Sequence, residues 1–284
     1  MLYTQSVTAI ANTGYNNKWT GRFMKNTRYF VDVESTGIDL KNDRIIQLAF
    51  LKIQGSKIEV FNDLCYTDIE MNDVVVSIHH ITNAMLEDKY WPDETDSFIE
   101  LEKGNVETNY FISHGNELDL KMLAHEELIL EMKCIDTDKC SRILLKDAAS
   151  HKLQDLIKQY KLITKAEKIA KEIGIGDINA HDALSDALWH YILFELLLKK
   201  VDGDINTLVK LTSTPILLDK ISFGKYKNKS FEEVFLKDPL DFVWMYVNMA
   251  KEWPDLEFTL SHWLKTKEYF WKKAQKERRE NSDF

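Results

Sequence analysis

Residues 28–37, RYFVDVESTG, constrain the fold more than any other stretch of this 284-residue chain. Tyr29, Phe30, Val31 and Val33 read as a buried strand, yet Asp32 and Glu34 interrupt it and Ser35-Thr36-Gly37 ends it at once. Side chains alternate along a strand, so the two acids share one face, roughly 6–7 Å apart along the backbone. Like charges that close in a half-buried place are costly unless something positive lies between them. A solvent-facing edge is the bland alternative for a DxE pair. Apolar Val31 and Val33, and a sharp turn that lets another backbone approach, shift the balance toward a metal site.

The pattern around this strand sets the fold class. RYFVDVE, RIIQLAFLKIQ and SKIEVFNDLCY are short, rich in Val, Ile and Phe, and separated by Gly, Asp or Asn, which predicts a three-strand meander. SIHHITNAMLEDKYW predicts a helix, NYFISHGNELDLKMLAHEE a strand feeding a helix, and MKCIDTDKCSRILL a second such pair. HKLQDLIKQYK places Leu153, Leu156, Ile157 and Tyr160 on one helical stripe. HDALSDALWHYILFELLLKK has no Gly or Pro and predicts a long buried helix. Strands alternating with helices after a meander make an α/β layered domain with a mixed sheet.

Residues 1–27 are polar and weakly patterned and read as an extension, with Met24 resembling a natural start, so that 1–23 are expected to be dispensable. The main domain is expected over 28–200, a linker over 201–220, and a small aromatic-rich module with a charged helical tail over 221–284.

Cys65, Cys134 and Cys140 are too few and too scattered for a disulfide framework or a CxxC zinc site, and suit a reducing cytoplasm. The longest apolar run, residues 187–198, is broken by His190 and Glu195 and is too short to span a bilayer; no secretory signal is visible. The formal charge of −9 argues against gripping nucleic acid by charge alone, unless acids gather where cations reverse the local sign. Residues 221–284 hold 12 Lys and Arg against 11 Asp and Glu, so the acid excess lies before them.

A pair of carboxylates cannot hold two hard cations, so further acids at element ends are needed. Asp119 falls one turn into the helix after SHGNELD, where it could equally serve the helix dipole. His114 could be a satisfied turn residue. His181 and Asp186 are five apart, which puts His181 at the start of a helix and Asp186 on its second turn; a cap or surface role is the bland reading of the histidine.

In the order DxE, Asp, HxxxxD, these residues resemble the DEDDh (DnaQ-like) exonuclease superfamily. VDVESTG matches the first motif, SHGNELD the second and HDALSDA the third. SIHHITNAMLEDKYW is similar to the His-x-Ile-Thr segment of these nucleases, and ISFGKYKNKSFEEVFLKDPLDFVWM to the module that follows the nuclease domain in the exodeoxyribonuclease X branch. One position departs: the second motif commonly reads His-Asn, whereas this chain has His114-Gly115, with Asn116 one place later.

The resemblance implies a ribonuclease H-like fold and hydrolysis of phosphodiester bonds at 3′ ends with release of nucleoside 5′-monophosphates. It implies two Mg²⁺ ions, for which Mn²⁺ can substitute: one on Asp32, Glu34 and Asp186 that activates water, the other on Asp32 and, through water, Asp119. It makes His181 the general base. DNA is the favoured partner, in repair or end trimming, with RNA oligonucleotides or a catalytically silent nucleic-acid binder as alternatives, and no membrane role. Thr36, Gly37 and Ile38 are expected near the terminal nucleotide, with Ile38 on a base or in a buried turn, and His114 and Asn116 beside it. Lys225, Lys227 and Lys229, interleaved with Phe223 and Tyr226, are expected to touch nucleic acid outside the active site or simply to face solvent.

Overall fold

The computed structural model describes residues 26–39, 41–176, 178, 181–221 and 223–281. The expected amino-terminal extension lies outside these, apart from Asn26 and Thr27. The chain divides into two compact units, Met1–Thr212 and Ser213–Phe284.

The first unit is built on a five-stranded mixed sheet in the order β3-β2-β1-β4-β5. The expected meander forms β1 (Arg28–Ser35), β2 (Ile45–Gln54) and β3 (Lys57–Leu64), paired antiparallel. β4 (Tyr110–Ser113) lies parallel to β1, and β5 (Lys133–Asp136) parallel to β4. This is the ribonuclease H-like arrangement, with β1 at the centre.

A helix forms earlier than the sequence pattern predicts. Helix α1 covers Asp73–His79, because the Asn72 side chain accepts from the Val74 and Val75 amides and starts it there, while His80 ends it in a left-handed conformation at φ 62°. Of SIHHITNAMLEDKYW, only a single 3₁₀ turn at Asn83–Met85 follows. Then come α2 (Asp96–Lys103), α3 (Glu117–His125), α4 (Thr137–Leu144), α5 (Leu153–Gln159), α6 (Ile163–Ile173) and α7 (Ala183–Lys200). The expected linker is partly helix: α8 (Ile205–Thr212) buries Ile205 and Leu208 in the core of the first unit, which removes them from water and holds the segment there.

Strand alternation splits the core in two. Phe30, Ala49, Leu51, Ile112 and Ile135 pack toward α7, with Leu188, Ile192 and Phe194 among the residues they meet. Tyr29, Val31, Val33, Phe50 and Phe111 face the other way, with Phe98 of α2 and Met122 and Leu123 of α3. The even-numbered side chains of β1, Phe30, Asp32 and Glu34, therefore share the face covered by α7. No helix among the described residues is long and apolar enough to cross a membrane.

The second unit has its own core of Phe231, Phe235, Phe242, Tyr246, Leu256, Leu260 and Leu264. Its helices are α9 (Phe231–Lys237), α10 (Pro239–Asn248), α11 (Pro254–Lys265) and the charged α12 (Glu268–Glu280). An isolated bridge pairs Lys220 with Ser230.

Candidate active site

At the carboxyl end of β1 the acids converge. Asp32, Glu34 and Asp186 each offer a carboxylate oxygen, and the three oxygens lie within 4.8 Å of one another. Asp32 and Glu34 come from β1, Asp32 opposite the small Ala49 and Glu34 opposite Gln47, with the register shifting between Glu34 and Ser35 as the strand ends. Asp186 comes down from the first turn of α7. Asp119, buried on the first turn of α3, stands outside that trio yet is the carboxylate that acts most strongly on Asp32.

The electrostatics show how unfavourable this cluster is by itself. Burial, and then repulsion from Asp119, Asp186 and Glu34, raises the Asp32 carboxyl well above the usual carboxylate range. Burial and Asp186 push Glu34 up to about 8. Burial raises Asp119 to about 7, with Asp136 adding to it, against the pull of the Ser113 hydroxyl and the Val33 N–H. Burial also raises Asp186 to about 7, against the pull of the His181 N–H. Oδ1 of Asp186 is buried without a hydrogen-bond partner. Hard oxygen donors, repelling one another around an orphaned acceptor, fit a divalent cation of the Mg²⁺ or Mn²⁺ type, which would remove the protons and the repulsion together.

Two residues not singled out in the sequence hold the cluster. Gln47, buried on β2, donates from Nε2 to Asn62 Oδ1 (2.9 Å) and Asp182 Oδ1 (3.2 Å), and its Oε1 accepts from the Ala183 amide at 3.4 Å. It thus joins β2 to the start of α7, where Asp182 caps the helix through the Ser185 amide and hydroxyl. His190, one turn after Asp186, is fully buried with Nδ1 3.0 Å from the Val31 carbonyl oxygen and Nε2 3.6 Å from Asp32 Oδ1. Burial pushes its imidazole down to about 3, so it is neutral. A histidine inside an apolar helix, on the stripe of Asp186, was the one sequence signal for it; Gln47 gave none.

The other expected residues are placed less uniformly. His181 sits exposed just before α7, at φ 61°, with its ring Nε2 3.4 Å from Gln154 Nε2, outside the carboxylate trio. Thr36 is buried, and its hydroxyl donates to Asp43 Oδ1 at 2.7 Å. Gly37 backs onto the same Asp43 carboxylate so closely that a Cβ there would lie under 3.0 Å from it. Ile38 is 83% exposed at the tip of this turn, which removes the buried-turn alternative. His114 is turned inward: Nε2 donates to the His151 carbonyl at 2.7 Å and Nδ1 lies 3.0 Å from the Thr137 hydroxyl oxygen. Asn116 is buried ahead of α3 and makes no side-chain cap.

Gly115 has a clear physical reason. Its φ of 76° lies in the left-handed region that glycine enters freely and asparagine tolerates best among the others. In that conformation its N–H donates to Asp136 Oδ1 at 2.9 Å, tying the turn before Asp119 to the end of β5.

In the second unit, Lys225 Nζ is 2.7 Å from Asp241 and lies over the Tyr226 ring at 4.8 Å, while Tyr226 donates to Asp238 at 3.0 Å. Lys229 pairs with Glu233 at 3.8 Å. The lysine series is therefore partly neutralised by its own module.

Residues 29–194, which carry the acidic cluster and the residues around it, match the family model described as Exonuclease, of the RNase T type. The chain belongs to this exonuclease family. The family match and the curated relatives support the DEDDh (DnaQ-like) superfamily. The chain is 26% identical over 238 residues to Exodeoxyribonuclease 10 of Escherichia coli strain K12, covering 82% of this chain and 97% of that protein. It is 27% identical over 202 residues to DNA polymerase III subunit epsilon of Aquifex aeolicus, covering 68% and 94%. Among solved structures, Escherichia coli Exonuclease I in complex with a dT13 oligonucleotide matches 68% of this chain and 46% of its own, with a TM-score of 0.50 at 17% identity, a likeness of fold. The acidic cluster lies within the matched residues.

Proposed function

We propose that the chain is a 3′–5′ exodeoxyribonuclease that hydrolyses the terminal phosphodiester bond and releases nucleoside 5′-monophosphates, in DNA repair or end trimming. One observation carries this reading: three carboxylates within 4.8 Å, with a fourth beside them, all raised by burial and repulsion that bound cations would relieve at neutral pH. Likeness to Exodeoxyribonuclease 10 along nearly its full length supports DNA as the substrate class. Three unpaired cysteines fit a reducing, cytoplasmic compartment.

Asp32, Glu34 and Asp186 would hold one ion, and Asp32 with Asp119 a second. When bound, two divalent cations supply a nucleophile from water at neutral pH and charge neutralisation at the leaving oxygen. β1 contributes a rigid platform that keeps Asp32 and Glu34 side by side. His181 takes the proton of the attacking water from a solvent-exposed position just before the helix that carries Asp186, its ring turning from Gln154 toward the acids. Ile38 packs on the terminal base from the tip of its turn.

The test is digestion of matched 3′-labelled and 5′-labelled DNA and RNA strands with Mg²⁺, by the wild type, Asp32→Ala and His181→Ala. Mononucleotides from the 3′ label, absent with Asp32→Ala and about 10²–10⁴-fold slower with His181→Ala, are expected. Labelled mononucleotides from the 5′ label at the outset, before any shortened 5′-labelled strands, overturn the polarity, and faster digestion of RNA overturns the substrate class. Loss of Mn²⁺ affinity in His181→Ala equal to its loss of turnover would make that histidine structural.

A further inference from the structure

Helix α7 presents Asp186 and His190 to β1 one turn apart, the spacing at which two helical side chains meet the same surface. β1 runs on past Phe30, its last residue paired with β4, so backbone groups on that edge beyond this point lose their strand partner and need another. The Val31 carbonyl is met by His190 Nδ1 at 3.0 Å, and the next group, the Val33 N–H, faces the Asp119 carboxylate. Asp32 is the residue between them. A carbonyl only accepts, so the proton of His190 sits on Nδ1, and Nε2 presents its lone pair 3.6 Å from Asp32 Oδ1. The ring is fully buried, so no solvent competes for this bond in the folded protein.

We propose that His190 is a positioning residue: its Nδ1–H bond to the Val31 carbonyl clamps the helix carrying Asp186 to the strand carrying Asp32 and Glu34, and so sets the separation of the three carboxylates for a cation. The inference rests on the reading of the acidic cluster as a cation site. The contact that matters is the one through Nδ1. Nε2, with no proton to donate, gives Asp32 no hydrogen bond when that carboxylate is ionised.

Asparagine and glutamine separate the two ring nitrogens, because the Asn amide reaches about as far as Nδ1 and the Gln amide about as far as Nε2. In the full chain, His190→Asn, His190→Gln and His190→Ala are compared by calorimetric titration with Mn²⁺ alone, by kcat and KM on a 3′-ended strand, and by melting in chelator. Ala and Gln are expected to weaken Mn²⁺ binding by roughly 10–100-fold, as outer partners of metal ligands do, and to lower kcat with little change in KM. Asn is expected to stay within about threefold of the wild type on the same scale. Equal loss in Asn and Gln, rescue by Gln alone, or unchanged Mn²⁺ affinity in all three with only a lower melting temperature would each overturn the clamp. A wild type that binds Mn²⁺ but cuts no nucleic acid would overturn the exonuclease reading and leave the clamp standing. A wild type that binds no Mn²⁺ would overturn both.

Discussion

Replacing Asp186 with Asn should make the metal-free protein more stable at neutral and alkaline pH while destroying its activity. The carboxyl ordinarily ionises near 3.8 and is raised to about 7 in the fold, by burial first and by Asp182 second. A raised folded-state value means that the folded protein holds this proton more tightly than the unfolded chain does. The penalty is absent below pH 3.8, grows as pH rises, and is complete above about 7. At about 1.4 kcal/mol per pH unit the full penalty is about 4 kcal/mol, and sharing of the repulsion with Asp32 and Glu34 brings the expected gain to about 2–4 kcal/mol. For a unit of this size that is roughly 5–15 °C in Tm.

The assay is thermal or urea unfolding of wild type and Asp186→Asn in chelator from pH 4 to 8.5. The two curves should coincide at the acid end and diverge through neutrality, with the variant above. Mn²⁺ at about 1,000 Kd should close or reverse the gap at pH 8, because it adds about 4 kcal/mol to a protein that binds it and little to one that has lost a ligand. A variant no more stable than wild type at pH 8, or more stable by the same amount at pH 4, would refute the claim that the fold holds this charge at a loss.

Four further outcomes are expected. Gly115→Ala should lose about 1 kcal/mol or more in urea unfolding, because its φ is positive although a Cβ meets nothing within 4 Å, and Gly115→Asn should lose less. Gln47→Leu should destabilise by about 1–3 kcal/mol through the polar groups it strands at Asn62, Asp182 and the Ala183 amide, and should raise the Mn²⁺ concentration needed for activity. Ile38→Ala, at an exposed tip, should leave stability within about 0.5 kcal/mol, so that weaker binding of 3′-ended strands reads a direct contact and unchanged binding rules it out. Neutralising Lys225, Lys227 and Lys229 together should lower the salt dependence of binding by about one ion rather than three, since Lys225 and Lys229 already face Asp241 and Glu233; an unchanged slope would exclude the module face as a contact.

Local periodicity determined a good deal about this protein. Alternation alone put Asp32 and Glu34 on one face of β1, and the largely apolar stretch without Gly or Pro set α7 with Asp186 on its inward side. The order DxE, Asp, HxxxxD marked the family, because each of those positions lies within one element whose geometry a short pattern sets. Where capping chemistry overrode hydrophobic pattern, local reading failed: Asn72 starts α1 and His80 stops it, well ahead of the predicted span.

Only the tertiary structure decided which residues meet. The trio draws Asp32 and Glu34 from the first strand and Asp186 from a helix about 150 residues later, and leaves Asp119 just outside it. Gln47 and His190 became visible only once β2, β1 and α7 were packed, since each serves by reaching a group distant in sequence. Gly115, an oddity in the motif, is explained by a backbone angle that composition does not reveal. The physical reason is common to all of them: a strand or helix is set by neighbours in sequence, whereas the burial and repulsion that act on these four acids exist only after the layers close.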